Sequence, residues 1–226
     1  MLSLIIPTYN ESETLAALLR QIFEVTGTHH IHTEVIVVDD NSPDGSGELA
    51  YYLKRFFPHL TTFHRDRRLG KTSALVEGIH HAKGNIIGVM DADLTHSPSL
   101  IPSLIMPLIS GNIDITVASR YSVGACIEGW GLLRRIAHLL ATLACRPLTP
   151  ISDPLSGFFF LRKSVIARYP LTTPQHLLLD LLVHAPYSSV QELPFTFKGR
   201  GRSPFGSGRG IDQVISLYQD KLFHHS

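Results

Sequence analysis

Short apolar runs alternate with amphipathic stretches through the first half of the chain. The runs at Leu2–Ile6, Glu34–Val38, Thr61–His64, Ile86–Met90 and Ile113–Ala118 are continuous rather than alternating. That is the pattern of strands buried on both faces. After the first run, Leu15, Leu18, Leu19, Ile22 and Phe23 recur at helical spacing and predict one apolar helix face. Leu49, Tyr52, Leu53 and Phe56 predict a second. Asn10 and Glu13 suit a capping box for the first helix. Ser42-Pro43 reads as an N-cap followed by proline at the start of the second. This order implies an α/β fold with a parallel, doubly wound sheet, in which ligands bind beyond the carboxyl ends of the strands.

Beyond about residue 120 the alternation breaks down. A helix is expected over Leu132–Cys145, a strand over Phe158–Leu161, a helix over Gln175–His184 and a strand over Val190–Phe197. Lys198 to Gly210 carries five glycines and the cations Lys198, Arg200, Arg202 and Arg209, with no acid until Asp212. It reads as a basic loop, closed by a short helix over Asp212–Phe223. The 226 residues suit one domain with an elaboration: a nucleotide-binding half to about residue 120, then an acceptor-binding half over about 121–226.

Composition narrows the class. An apolar fraction of 44% with 17% charged residues excludes a disordered chain. A formal charge of +1 gives no global sign of a nucleic-acid binder. Cys126 and Cys145 match no metal or redox spacing and read as reduced thiols of a cytosolic protein. The longest apolar segment, Trp130 to Leu148, is interrupted by Arg134, Arg135, His138 and Arg146, so no membrane span is expected. That segment suits either a helix lying in a membrane interface or a core helix with solvated arginines. The N-terminus lacks a basic leader, so no signal peptide is expected.

The residues that follow the strands are unusually polar: Pro7-Thr8-Tyr9-Asn10-Glu11, Asp39-Asp40-Asn41-Ser42 and Asp91-Ala92-Asp93. Two carboxylates at i and i+2 suit Mg²⁺ or Mn²⁺, which would clamp a diphosphate, although a simple turn also favours aspartate. Asp39 and Asp40 add to the acid at this edge, which calls for a cation among them. A carboxylate after the second strand also suits a nucleoside. Gly70-Lys71-Thr72-Ser73 looks like the end of a P-loop, but Arg65 stands where that loop needs glycine. What remains is a helix N-terminus flanked by Arg65, Arg67, Arg68 and Lys71, suited to anions or to solvent. Of thirteen histidines, His96 lies beside the acid pair.

Together these motifs resemble the polyprenyl-phosphate sugar transferases of the dolichol-phosphate mannose synthase type, inverting family-2 glycosyltransferases with a GT-A fold. The matching segments are Ile6–Glu11, Val38–Gly45, Gly70–Ala74, Met90–Leu94 with His96, Ala118–Tyr121 and Asp153–Phe159. The resemblance runs from about residue 2 to about residue 205. It implies a nucleoside pocket at Pro7, Tyr9, Glu11, Val38 and Asp40. It implies metal ligation by Asp91 and Asp93, with the Ala92 backbone lining the donor. It implies that Arg120 and Arg134 face phosphate and that Arg202, with Arg200, covers the site. Three positions depart from the family pattern. Thr95 stands where the third metal ligand is usually Gln, His176 where a donor-contacting Lys is expected, and Ser207-Gly208, after the insertion Pro204-Phe205, where Ser-Lys is expected. Arg209 is the candidate replacement for that last cation.

The implied reaction moves a hexose, mannose from GDP-mannose ahead of glucose from UDP-glucose, to a polyprenyl phosphate with inversion. The implied setting is the cytoplasmic face of a membrane, reached peripherally or through a separate membrane-protein partner. The alternatives are a related transferase with a hydroxyl acceptor, for which Asp180 is the candidate base, and a non-catalytic homologue that keeps the nucleotide pocket.

Overall fold

The computed structural model of the chain describes residues 1–167, 169–171, 174 and 176–199. Its first half alternates as expected: β1 (Leu2–Thr8), α1 (Leu15–Thr28), β2 (Thr33–Asp39), α2 (Ser46–Leu53), β3 (Leu60–His64), α3 (Lys71–His81), β4 (Ile86–Val89), α4 (Ile101–Ile109) and β5 (Ile115–Ser119). Then follow β6 (Cys126–Glu128), α5 (Leu132–Cys145), β7 (Phe159–Arg162), α6 (Lys163–Ala167), α7 (Leu177–His184), β8 (Val190–Pro194) and β9 (Thr196–Lys198). Seven strands form one sheet in the order β3-β2-β1-β4-β7-β5-β8. All neighbours are parallel except β7, which runs antiparallel to both β4 and β5.

The continuous apolar strands are covered on both faces. Leu4, Ile6, Val35 and Val37 pack with Leu15, Leu18, Leu19 and Ile22 of α1 and with α4. Ile5, Ile36 and Val38 point the other way, to α3 and α7. Period-two alternation thus splits one strand between two cores. Helix α3 rides close to β1, since a Cβ on Gly78 would sit 2.5 Å from Ile5 Cγ2.

Both expected helix starts are displaced. Asn10 and Glu13 form no capping box: α1 begins at Leu15, Asn10 sits at φ 59° and Glu13 is exposed. Ser42 caps no helix, because α2 begins at Ser46 after Gly45 at φ 84°. These polar residues instead stitch the loops after β1 and β2 together. Asn10 N donates to Ser42 Oγ (3.1 Å), Glu11 N to Ser46 Oγ (2.9 Å) and Ser12 N to Asp44 Oδ2 (3.0 Å).

The single strand expected over Val190–Phe197 is two. Pro194, which has no N–H to donate, ends β8, and β9 pairs with β6 in a separate two-stranded sheet. The expected helix at Gln175 begins at Leu177. The helix expected over Asp212–Phe223 lies outside the described residues. Helix α5 is not a core helix. Leu132, Leu133 and Leu140 are 72%, 84% and 61% exposed, and Ile136, Leu139 and Leu143 also face outward. Only Thr142 and Cys145 of this helix are buried. No helix among the described residues is long and apolar enough to cross a membrane.

Candidate active site

Strands β1, β2 and β4 run parallel, so the polar segments that follow them meet at one edge. At the β2 end both aspartates are buried and fully engaged. Asp39 accepts from Ser42 N (3.0 Å) and Ser42 Oγ (2.5 Å), and its Oδ2 lies 2.9 Å from His64 Nδ1. Asp40 accepts from Arg65 Nη1 (2.9 Å), Leu69 N (2.8 Å) and Gly70 N (2.7 Å). Arg65 is therefore the cation these acids call for. It also donates to Glu77 (2.7 Å) and Ser73 (2.7 Å), so it is a buried tie rather than a member of an open anion cluster.

The remaining nucleoside candidates differ in what they present. Tyr9 is half-buried, with the Arg68 guanidinium 3.8 Å above its ring. Glu11 is half-buried and accepts from Thr14 Oγ1 (2.9 Å). Pro7 is buried in β1. The Val38 side chain lies in the core beneath α3, so it offers the cleft no side chain.

At the β4 end, Ala92 turns into the core and the two acids flank it. Leu94 takes φ 60°, a left-handed conformation that is costly for a branched side chain. That turn brings Thr95 N (3.0 Å) and Thr95 Oγ1 (2.6 Å) onto Asp93 Oδ1. The Thr95 hydroxyl thus donates to Asp93, which places it beside the acid pair. Asp91 Oδ1 pairs with Lys71 Nζ at 2.5 Å. Burial raises the Asp91 carboxyl, but Lys71, with Arg120, outweighs it and holds the group below the ordinary value. Gly157 presses on the other side: a Cβ there would lie 2.9 Å from Asp91 Oδ2. His96 does not face the cleft. It is buried against Phe158, Phe195 and Phe197. Burial outweighs the pull of Asp91 and Asp93 and lowers it to about 4, so it supports the acid loop as a neutral ring.

The two arginines have different surroundings. Arg120 is buried and bidentate on Asp153, through Nε (2.8 Å) and Nη2 (2.8 Å), with Nη2 also on the Leu155 carbonyl (3.0 Å). Asp153 is fixed in turn, because Glu192 accepts from Ser152 N (2.7 Å) and Asp153 N (2.9 Å). Arg134, on α5, is part-exposed, lies 4.3 Å over Trp130 and makes no salt bridge among the described residues. Burial and then Arg120 lower its pKa, while Asp93 raises it. His176, at the start of α7, is lowered to about 4 by burial and then by Lys71 and Arg120. His138 is lowered to about 4 by burial, then Arg120. The fold therefore brings Asp91, Asp93, Lys71, Arg120, Arg134 and His176 into one electrostatic cluster. Arg200, Arg202, Ser207, Gly208 and Arg209 lie outside the described residues.

Sequence reasoning missed the roles of Lys71, Asp153, Gly157 and His138. Lys71 stood in a quoted segment, and so did Asp153 and Gly157. The spacing of four between Arg134 and His138 places both on one face of α5.

Residues 3–169 match glycosyl transferase family 2. The chain belongs to that family. A dolichol-phosphate mannosyltransferase from Pyrococcus furiosus is 38% identical over 224 residues, covering 96% of this chain. The family 2 chain spans 62% of that relative's length. A dolichol-phosphate mannosyltransferase from Saccharomyces cerevisiae is 34% identical, covering 97% of this chain and 85% of its own. Among solved structures, mannosyl-3-phosphoglycerate synthase from Rubrobacter xylanophilus superposes with a TM-score of 0.72 at 17% identity, covering 100% of this chain and 74% of its own. A mannosyltransferase from Pyrobaculum calidifontis, solved in complex with GDP-Man and Mn²⁺, gives 0.68 at 18% identity, covering 98% and 64%. Those two likenesses concern the fold, the GT-A arrangement with its mostly parallel sheet.

Proposed function

We propose that this chain transfers mannose from GDP-mannose to a dolichyl-type polyprenyl phosphate with inversion at the anomeric carbon. One observation carries the reading. Arg120 bears electrostatically on Asp91 and Arg134 on Asp93, and Arg134 stands in the first turn of α5, whose apolar side chains face outward. An open groove against α5 is lined by Arg120 and Arg135 together with Tyr121, Ile127, Leu132, Ile136 and Leu139. A phosphate at the basic end and a prenyl chain along the apolar walls match that layout. The curated relatives point to the same reaction.

Pro7, Tyr9, Glu11, Asp40 and the Val38 main chain belong to the nucleoside side of the cleft. The donor set at the β4 end fits a hard divalent cation. Lys71 already marks a cation position on Asp91, and one or two carboxylates plus substrate phosphates are an ordinary Mg²⁺ set. Asp91 and Asp93 would hold Mg²⁺ or Mn²⁺, which supplies charge neutralisation for a departing diphosphate. Arg134, with Arg120 behind it, orients the acceptor phosphate. A phosphate oxygen attacks the anomeric carbon as the bond from that carbon to the donor diphosphate breaks, and GDP leaves. The acceptor's second pKa is about 6, so it arrives as an oxyanion and needs no base. A hydroxyl acceptor would need one. Asp180, the candidate, is buried and engaged by Tyr169 Oη (2.6 Å) and His184 (3.4 Å). The outward face of α5 would rest on the membrane surface at its cytoplasmic side.

The test is thermal stabilisation by GDP and by UDP, each with and without Mn²⁺. At about 100 times its dissociation constant a ligand adds about 2.7 kcal/mol. A metal-dependent shift with GDP supports the reading, whereas one confined to UDP replaces the donor. No shift with either nucleotide overturns the reading of a nucleotide-sugar site. Asp91→Asn is expected to abolish transfer with the melting profile retained.

A further inference from the structure

The ion pair between Lys71 and Asp91 has no task in the reaction as derived above. Lys71 is the first residue of α3, and its position is fixed from behind, because Asp40 holds the N–H groups of Leu69 and Gly70. From there the side chain reaches the loop after β4 and sets Nζ 2.5 Å from Asp91 Oδ1. On the other side of Asp91 stands Gly157, where even a Cβ would lie 2.9 Å from Oδ2. Lys71 itself is 43% exposed, so its ammonium has room to move.

An ammonium and a divalent cation on one carboxylate repel each other strongly at such range. A bound diphosphate offers the ammonium another anion close by. We propose that Lys71 is an internal counter-cation, holding the metal's place on Asp91 until a nucleoside diphosphate draws it away, so that metal and nucleotide bind as a coupled pair. The inference rests on the reading of Asp91 and Asp93 as metal ligands. Coupling of this kind is reciprocal: whatever metal gains from nucleotide, nucleotide gains from metal.

The experiment is Mn²⁺ titration of the full chain, followed by the electron paramagnetic resonance signal of free Mn²⁺, with and without GDP. Lys71→Met keeps the length of the side chain and removes the charge. It is expected to bind Mn²⁺ alone about tenfold more tightly than the wild type and to show a smaller gain from GDP. Lys71→Arg, which keeps the counter-cation, is expected to retain wild-type coupling. Adding Asp91→Asn to Lys71→Met is expected to remove the gain. Equal Mn²⁺ affinity of wild type and Lys71→Met without nucleotide overturns the proposal and leaves the metal reading standing. No Mn²⁺ binding by either chain, even with GDP, overturns the metal reading and the proposal with it.

Discussion

Arg120 and Asp153 form a buried pair with unequal duties. Burial alone would lower the Arg120 pKa, but Asp153 outweighs it and raises it, so the buried guanidinium stays charged. Asp153→Ala would leave that charge buried and unpaired, at a cost of about 3–5 kcal/mol. Urea denaturation measures this, and the acceptor KM should rise alongside as Arg120 loses its orientation. An unchanged midpoint would show that the pair contributes little to the fold. Gly157 acts by absence. Gly157→Ala puts a methyl 2.9 Å from Asp91 Oδ2, so the carboxylate must shift. Mn²⁺ affinity in the presence of GDP is expected to fall about tenfold, the scale of a disturbed ligand support. Neither role is visible in a lone motif. Asp153 and Gly157 stand in one short segment, yet they serve Arg120 and Asp91, residues 33 and 66 positions away in the chain.

At the scale of elements, α5 has an exposure unlike that of α1 or α4. Its leucines face outward where a helix of the sheet would bury them. Contiguous apolar surface of this kind marks an interaction site. Leu133→Glu together with Leu140→Glu should abolish flotation with anionic liposomes. Stability should change by no more than about 0.5 kcal/mol per site, since exposed positions away from special features tolerate substitution. Retained flotation would show that these leucines do not bind lipid. The sequence foretold this helix and its ends, because a fourteen-residue amphipathic repeat is a local property. It did not foretell which face the molecule covers. Likewise the apolar run of β7 gave a strand but not its antiparallel direction, because direction depends on the connections that bring β7 between β4 and β5.

For the molecule as a whole, proton uptake follows from burial. His96, His138 and His176 each titrate near 4 in the fold, against 6.5 unperturbed. Between those values the unfolded chain binds more protons than the native one, so stability rises with pH across the interval. The melting temperature is therefore expected to fall as pH drops from about 6.5 towards 4, and to go on falling below it as Asp91 and Asp44, both held below the ordinary carboxylate value, take up protons. A flat profile through that range would mean that the rings are solvated.

The sequence by itself determined the alternation of strands and helices and the edge at which the polar loops gather. Hydrophobic period and turn chemistry act over a few residues, and parallel strands place their carboxyl ends together. It also placed Asp91 and Asp93 side by side, because two positions along a chain cannot be far apart. Only the tertiary structure decided the partner of each charge: Arg65 on Asp40, Lys71 on Asp91, Asp153 on Arg120, and Thr95 on Asp93 rather than free beside it. It also decided that the α5 leucines face out. Except for the local Thr95 turn, those pairings join residues 20 to 33 positions apart, across which composition and spacing fix no distance; packing of the sheet against its helices does.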